Sequence, residues 1–173
     1  MFRHLMHALL LLLPLACGPA AARGVYQTPE AFLDEVFAGQ VPEARVLWLR
    51  GEIRAGVKRI LGHRYPSLRI RYWQRGPRTA WILEEIGKEQ PITTGVVVEN
   101  GRIERIRVLV FRESRGYEVR HEFFTRQFDQ AGLDEEGRLD RHIDNISGAT
   151  LSVRAMKKLA RLALFLDRQI RKP

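Results

Sequence analysis

The sequence predicts an α+β fold: a small antiparallel β-sheet packed with helices, with a C-terminal helix following a short polar motif. Three observations predict it. Residues 68–111 hold four strand-like segments separated by turn signals. The segments on either side place apolar residues at helical spacing. Composition is that of a globular chain, 45% hydrophobic and 28% charged over 173 residues. That excludes a disordered, collagen-like or polytopic membrane protein, and the length suffices to bury a core without staples.

The elements follow in order. Thr28-Pro29-Glu30 is a helix start: a capping hydroxyl, a proline at the first helical position and an acid suited to the dipole. Phe32, Leu33, Val36 and Phe37 fall on one face, and Gly39 stops the helix. A second amphipathic helix carries Ile53, Val57, Ile60 and Leu61 and ends at Gly62. Leu68 to Gln74 alternates as a half-buried strand, Arg75-Gly76-Pro77-Arg78 turns, and Thr79 to Leu83 returns. Thr93 to Glu99 is a third strand rich in β-branched residues. Asn100-Gly101 is a hairpin signal, because both positions tolerate positive φ.

The fourth strand, Arg102 to Phe111, is expected to set Ile106, Val108 and Val110 on one face and Arg105 and Arg107 on a wet one. Phe123, Phe124 and Phe128 point to a short helix, and 132–141 to a charged, solvated loop. The last helix runs from about Leu151 to Ile170, with Ala155, Leu159, Leu162, Ala163, Leu166 and Ile170 as its buried stripe and Lys158 and Arg161 facing solvent. Trp73 and Trp81, on paired strands, read as packing residues.

Residues 1–22 read as an export signal: Arg3, the apolar run Ala8 to Ala16, then Ala20-Ala21-Ala22 as a cleavage site. The run is shorter than the roughly 20 residues a membrane span needs. Cleavage after Ala22 sends residues 23–173 to the periplasm as one domain, with a helical part at 23–64 and the sheet and last helix at 65–173. Cys17 offers an alternative, cleavage ahead of a lipidated cysteine, although Pro14 stands where that pattern wants Leu. As the sole cysteine, Cys17 excludes an internal disulfide, a CxxC redox pair and Cys-ligated clusters. His63, His121 and His142 lack metal-ligand spacing, so no metal site is expected. The net charge of +9 favours anionic partners without choosing among them. No aromatic pattern of an RNA-binding sheet accompanies the arginines, and nucleic acid is not expected.

Chemistry concentrates in Asp144-Asn145-Ile146-Ser147-Gly148-Ala149-Thr150. Small residues and a glycine let the backbone approach a ligand at a helix N-terminus, whose free N–H groups and dipole favour an anion. From Asn145 through Leu166 there is no acid, while Arg154, Lys157, Lys158 and Arg161 lie in that run. From their chemistry alone the same residues read more simply as plain capping, with Ser147 or Thr150 as N-cap and Gly148 in the turn.

The motif D-x-x-S-G-A-T resembles the flavinylation motif of the FMN-binding domain family, which includes the flavin-bearing subunits of the sodium-pumping quinone reductase and of the Rnf complex. Gly95 to Leu109 is similar to the family's hairpin, and Glu113-Ser114-Arg115-Gly116 to its Glu-Thr-x-Gly turn, with Ser for Thr. The likeness spans roughly residues 80–165. It implies FMN held through a phosphoester to Thr150 and installed from FAD by a dedicated flavin transferase. Asp144 then stands at the motif acid, expected to serve recognition by the transferase or the setting of the turn. Ser147, Gly148 and Ala149 stand in the turn, and Glu113, Ser114 and Gly116 about the pocket. Arg154, one helical turn on, is expected to offset phosphate charge. Ser152-Val153 departs from the family's Thr-Ser. No His or Lys in the motif activates the Thr150 hydroxyl, which argues against self-attachment.

The sequence thus reads as an exported FMN-bearing electron-transfer protein rather than a stand-alone enzyme, with no catalytic residue of its own. Its redox donor and acceptor, membrane-bound ones included, are not identified. The alternatives are a noncovalent FMN protein or small flavin reductase, and a flavin-free basic module binding membrane or an acidic partner.

Overall fold

The computed structural model describes residues 24–172. The expected export signal and Cys17 lie outside the described residues.

Helix α1, Pro29–Val36, begins as its sequence dictates: the Ala31 N–H donates to Thr28 Oγ1 at 3.1 Å. It ends where Ala38 and Gly39 take φ of 50° and 73°. A short strand β1, Arg45–Trp48, precedes α2, Gly51–Leu61, which is closed by Gly62 at φ 84°. Then come β2 (Arg69–Arg75), β3 (Arg78–Ile86), β4 (Pro91–Glu99) and β5 (Arg102–Phe111). Each strand pairs antiparallel with the next, in the order β1-β2-β3-β4-β5. The Asn100-Gly101 turn between β4 and β5 has both residues at positive φ, 52° and 76°, as a two-residue hairpin demands. A 3-10 turn (Tyr117–Arg120), a one-turn helix α3 (Glu122–Thr125) and a second 3-10 turn (Arg126–Phe128) follow, and α4 spans Thr150–Ile170.

The two faces of the sheet bury different helices. Trp81, Leu83, Ile92, Val96 and Val98 face α4 and α2 in the larger core, where the Tyr72 ring stacks on Trp81 at 5.0 Å. Ala80, Val97 and Leu109 face the other way, onto Phe32, Leu33 and Val36 of α1. Gly95 is what lets α1 dock: a Cβ there would lie 2.6 Å from the Phe32 ring. The buried Asp167 of α4 accepts from Thr79 Oγ1 at 2.7 Å and pairs with Arg171, fixing that helix's far end to β3.

Three features of the fold depart from the sequence reading. β1 lies within what reads as a helical part, 23–64. Its four residues show only one inward side chain, Leu47, too little for a periodic signal. On β5, Val110 does not share a face with Ile106 and Val108. Thr93 pairs with Val110 but Thr94 with Val108, so Leu109 is the extra residue of a bulge and the alternation reverses. The face bearing Arg105 and Arg107 is partly covered by α1, whose Glu35 bridges both at 2.5 and 2.6 Å. The segment 132–141 is the charged loop expected, held internally by a bridge from Leu133 to Leu139 and by the Gly132 N–H donating to Asp140 Oδ1 at 2.8 Å.

Candidate functional site

Three pieces of chain meet at the end of the sheet where β3 hands over to β4 and β5 ends. The first is the turn at 87–90. The second is the segment 113–116 leaving β5. The third is the first turn of α4. Between them opens a cleft of about 580 Å³ lined by Lys88, Glu113, Ser114, Arg115 and Gly148 to Ser152. That volume falls within the range of small-molecule and cofactor sites.

Glu113 builds the wall. Its Oε1 accepts the backbone N–H groups of Lys88, Glu89 and Gln90 at 2.5, 2.6 and 2.9 Å. Partial desolvation pushes its carboxyl up, but the N–H groups of Gln90, Glu89 and Lys88 outweigh it and hold the group below its ordinary value. The carboxylate is therefore consumed in folding the 87–90 turn against β5's end. Gly116 builds the other contact. It sits at φ 86°, and a Cβ there would lie 2.5 Å from Ser152 Oγ and 3.5 Å from Ala149 Cα. Glycine is required twice, by the backbone conformation and by the close approach to α4.

The start of α4 is bare. Its N-cap is Ala149, no side chain caps it, and its first turn holds no acid. Gly148, at φ 82°, swings the chain into the helix. The alternative of plain capping by Ser147 or Thr150 does not hold: Ser147 is exposed outside the cleft, and Thr150 is already the first helical residue. The Thr150 side chain is exposed at the cleft and accepts from Asn145 Nδ2 at 3.1 Å. That bond uses an oxygen lone pair and leaves the hydroxyl proton free to be removed.

The other expected residues distribute as follows. Glu113, Ser114, Gly148, Ala149 and Thr150 line the cleft, while Gly116 supports it from behind. Asp144 is exposed outside it. Its backbone N–H donates to Gln127 Oε1 at 2.7 Å, and its carboxylate lies 3.4 Å from His142. Arg154 is exposed on α4 and does not line the cleft, whose side walls come from the 87–90 and 113–116 turns. The cations that do line it are Lys88, which the sheet brings there, and Arg115, which lies within the Glu113–Gly116 turn but was given no role in the sequence reading. Asn145 was within the motif but carried no signal of its contact with Thr150. Lys158 and Arg161 do not face solvent as expected: Lys158 Nζ lies 2.7 Å from the buried Glu85, and Arg161 donates to the Gly137 carbonyl. Trp81 is wholly buried and Trp73 packs toward α1.

Residues 87–164 match the family model of the FMN-binding domain. The matched segment contains every residue that lines the cleft. No curated protein and no solved structure matches the chain significantly.

Proposed function

We propose that residues 87–164, which match the model of the FMN-binding domain, bind FMN as such a domain does, and that the chain is an exported electron-transfer flavoprotein with FMN esterified to Thr150. The observation that carries the reading is the bare N-terminus of α4, where an exposed threonine hydroxyl opens on a cleft lined by Lys88 and Arg115. A phosphodiester at Thr150 would meet the positive end of the helix dipole without displacing a side-chain cap. Lys88 and Arg115 would supply the offsetting charge that the sequence reading gave to Arg154.

The residues fit the group in two further respects. Gly148 and Ala149 keep the approach to Thr150 free of bulk. Asn145 orients the hydroxyl through its 3.1 Å bond. No base stands against that hydroxyl among the described contacts, so attachment falls to an external flavin transferase. In that step the bond from Thr150 Oγ to phosphorus forms, the pyrophosphate bond of FAD breaks, AMP leaves, and the transferase takes the proton. Asp144, exposed beside the motif, is the residue offered for recognition. Bound FMN supplies one- or two-electron redox chemistry, and the chain supplies position and electrostatics. A covalent tether suits an exported protein, which cannot draw on a pool of free FMN.

The test is intact-mass analysis after co-expression with a flavin transferase in an exporting host. An FMN-sized increment on the peptide holding Thr150 is the expected result. Flavin that leaves on denaturation would instead establish noncovalent binding, and absence of flavin would overturn the proposal.

A further inference from the structure

α1 shows how one face of the sheet is covered. Its Phe32, Leu33 and Val36 bury Ala80, Val97 and Leu109 of β3, β4 and β5, and its Glu35 bridges Arg105 and Arg107 beside them. The same face continues onto β2 and β1. Trp73 of β2 pairs with Ala80 and packs toward α1. Arg71 and Arg69 lie at two-residue steps from it, and across the ladder Val46 stands opposite Arg71 and Trp48 opposite Arg69. The register therefore puts Val46, Trp48, Arg69 and Arg71 on one surface. α1 and the turn after it meet β2 at its other end, at Trp73 and Arg75. Trp48 is left 47% and Val46 42% exposed, and both arginines are exposed. The Trp48 ring lies under the guanidinium groups of Arg50 at 5.2 Å and Arg69 at 6.0 Å. Acids on or over this face are already engaged: Glu35 as above, Glu84 with Arg112, and Glu99 with Arg78. Among the described residues Arg50, Arg69 and Arg71 are in no ion pair.

We propose that the β1–β2 half of this face docks an acidic amphipathic helix of a partner protein, laid beside α1 in the way α1 lies on β3 to β5. Its apolar stripe meets Val46 and Trp48, and its carboxylates meet Arg69 and Arg71 as Glu35 meets Arg105 and Arg107. There is room for it. With strands about 4.8 Å apart, the β1–β2 boundary lies about 12 Å from β4, over which α1 is centred. Packed helices need about 8–10 Å between axes. The length fits too: four strand residues span about 13 Å, or two to three helical turns. Charge complementarity selects an acidic occupant, and the chain supplies none of its own. Residues 1–22 contain no acid, and a second copy brings the same net charge of +9. Val46 and Trp48 select an amphipathic helix over a polyanion such as single-stranded nucleic acid. Both strands lie outside the segment that matches the FMN-binding domain, so this inference stands apart from the flavin.

The probe is a fluorescein-labelled peptide of about 18 residues, long enough to sample helix, built from Leu, Ala and Glu with Leu at i, i+3, i+4 and i+7. Its controls are a scrambled peptide of the same composition and a peptide with Lys for every Glu. Fluorescence anisotropy at about 0.1 M salt reads binding to the full-length chain. Residues 1–22 are common to the parent and all variants, so differences among variants report β1 and β2. The expected result is that the parent prefers the acidic amphipathic peptide to both controls. R69E/R71E should bind that peptide at least about tenfold more weakly and should bind the Lys peptide in its place, because like charges brought together repel. Trp48→Ala should weaken binding of the acidic peptide at least about fivefold, as truncation of an interface tryptophan does. Melting temperatures show that the variants fold, and R69Q/R71Q, which adds no charge, tests the same contact if the reversal is destabilising. A parent that fails to bind the acidic peptide or binds the controls equally would overturn the proposal. So would unchanged binding in Trp48→Ala, a charge reversal that leaves the preference unswitched, or a short oligothymidylate that binds more tightly than the acidic peptide.

Discussion

Thr150 is the residue on which the cofactor reading turns, and the structure alters what its removal should do. A threonine at the N-cap would cost about 0.5–2 kcal/mol when truncated. Here the cap is Ala149 and Thr150 is an exposed first-turn residue. Thr150→Ala should therefore change stability by no more than about 0.5 kcal/mol in urea titration, the range of surface substitutions, while no fluorescent band survives on a denaturing gel. Gly116 should behave oppositely. Gly116→Ala forces a side chain into positive φ and into Ser152, so urea titration should show a loss of about 1–3 kcal/mol. Glu113 gives a pH signature. Its carboxyl is held below the ordinary value near 4.5, so its stabilisation is complete above that value and is lost as pH falls through the folded one. Glu113→Gln should lower the melting temperature at neutral pH, and the gap to the parent should narrow as pH drops below about 4.5. A gap independent of pH would mean that the charge of Glu113 does not hold the 87–90 turn.

At the scale of elements, most of the fold was legible in the sequence wherever a local signal carried it. The Thr28-Pro29 start, the Gly62 stop, the Asn100-Gly101 hairpin and the stripe of α4 each rest on residues adjacent or one turn apart, and each recurs in the structure. What was not legible depends on partners distant in sequence. β1 is a strand because β2 pairs with it, and the β5 bulge exists because β4 sets its register. The cleft divides the same way. Its floor, Gly148 to Ser152, is a contiguous run, and the Glu113–Gly116 turn is contiguous too, whereas Lys88 arrives only through the fold of β3 and β4. Gly95 shows how a non-local demand reads as a local oddity. A glycine in the middle of a β-branched strand is unfavourable by itself and is retained where the Phe32 ring needs the space. Gly95→Ala should cost about 1–3 kcal/mol through overpacking. Phe32→Leu, introduced with it, should recover part of that loss, and a double-mutant cycle on melting curves measures the coupling.

For the whole molecule, the segment that matches the FMN-binding domain is smaller than the structure that holds it. The FMN-binding match begins at residue 87, which leaves β1, β2 and β3 with both leading helices outside it. Yet β3 pairs with β4 from Arg78–Glu99 to Ile86–Pro91, along its whole length. Trp81 and Leu83 of β3 are completely buried against the core that α4 closes. Thr79 satisfies the buried Asp167, and Lys158 of α4 reaches the buried Glu85 of β3. A fragment of residues 87–172 would keep only the β4–β5 hairpin and its helices. It would expose β4, with Ile92, Val96, Val97 and Val98, as a long apolar edge strand, which invites aggregation. It would also strand Asp167 without its Thr79 donor. A two-stranded hairpin is at best marginally stable, and the strands that make this sheet viable would be gone. The fragment 87–172 should therefore fail to give a cooperative thermal transition or dispersed amide resonances, whereas residues 24–172 should give both. It should also take up no flavin from a transferase, even though Thr150 and the whole motif are present, because the 87–90 turn and the first turn of α4 are brought together only by a complete sheet. A folded fragment 87–172 that accepts flavin at Thr150 would show that β1 to β3 are dispensable to the site and that the cleft assembles from the hairpin and α4 alone.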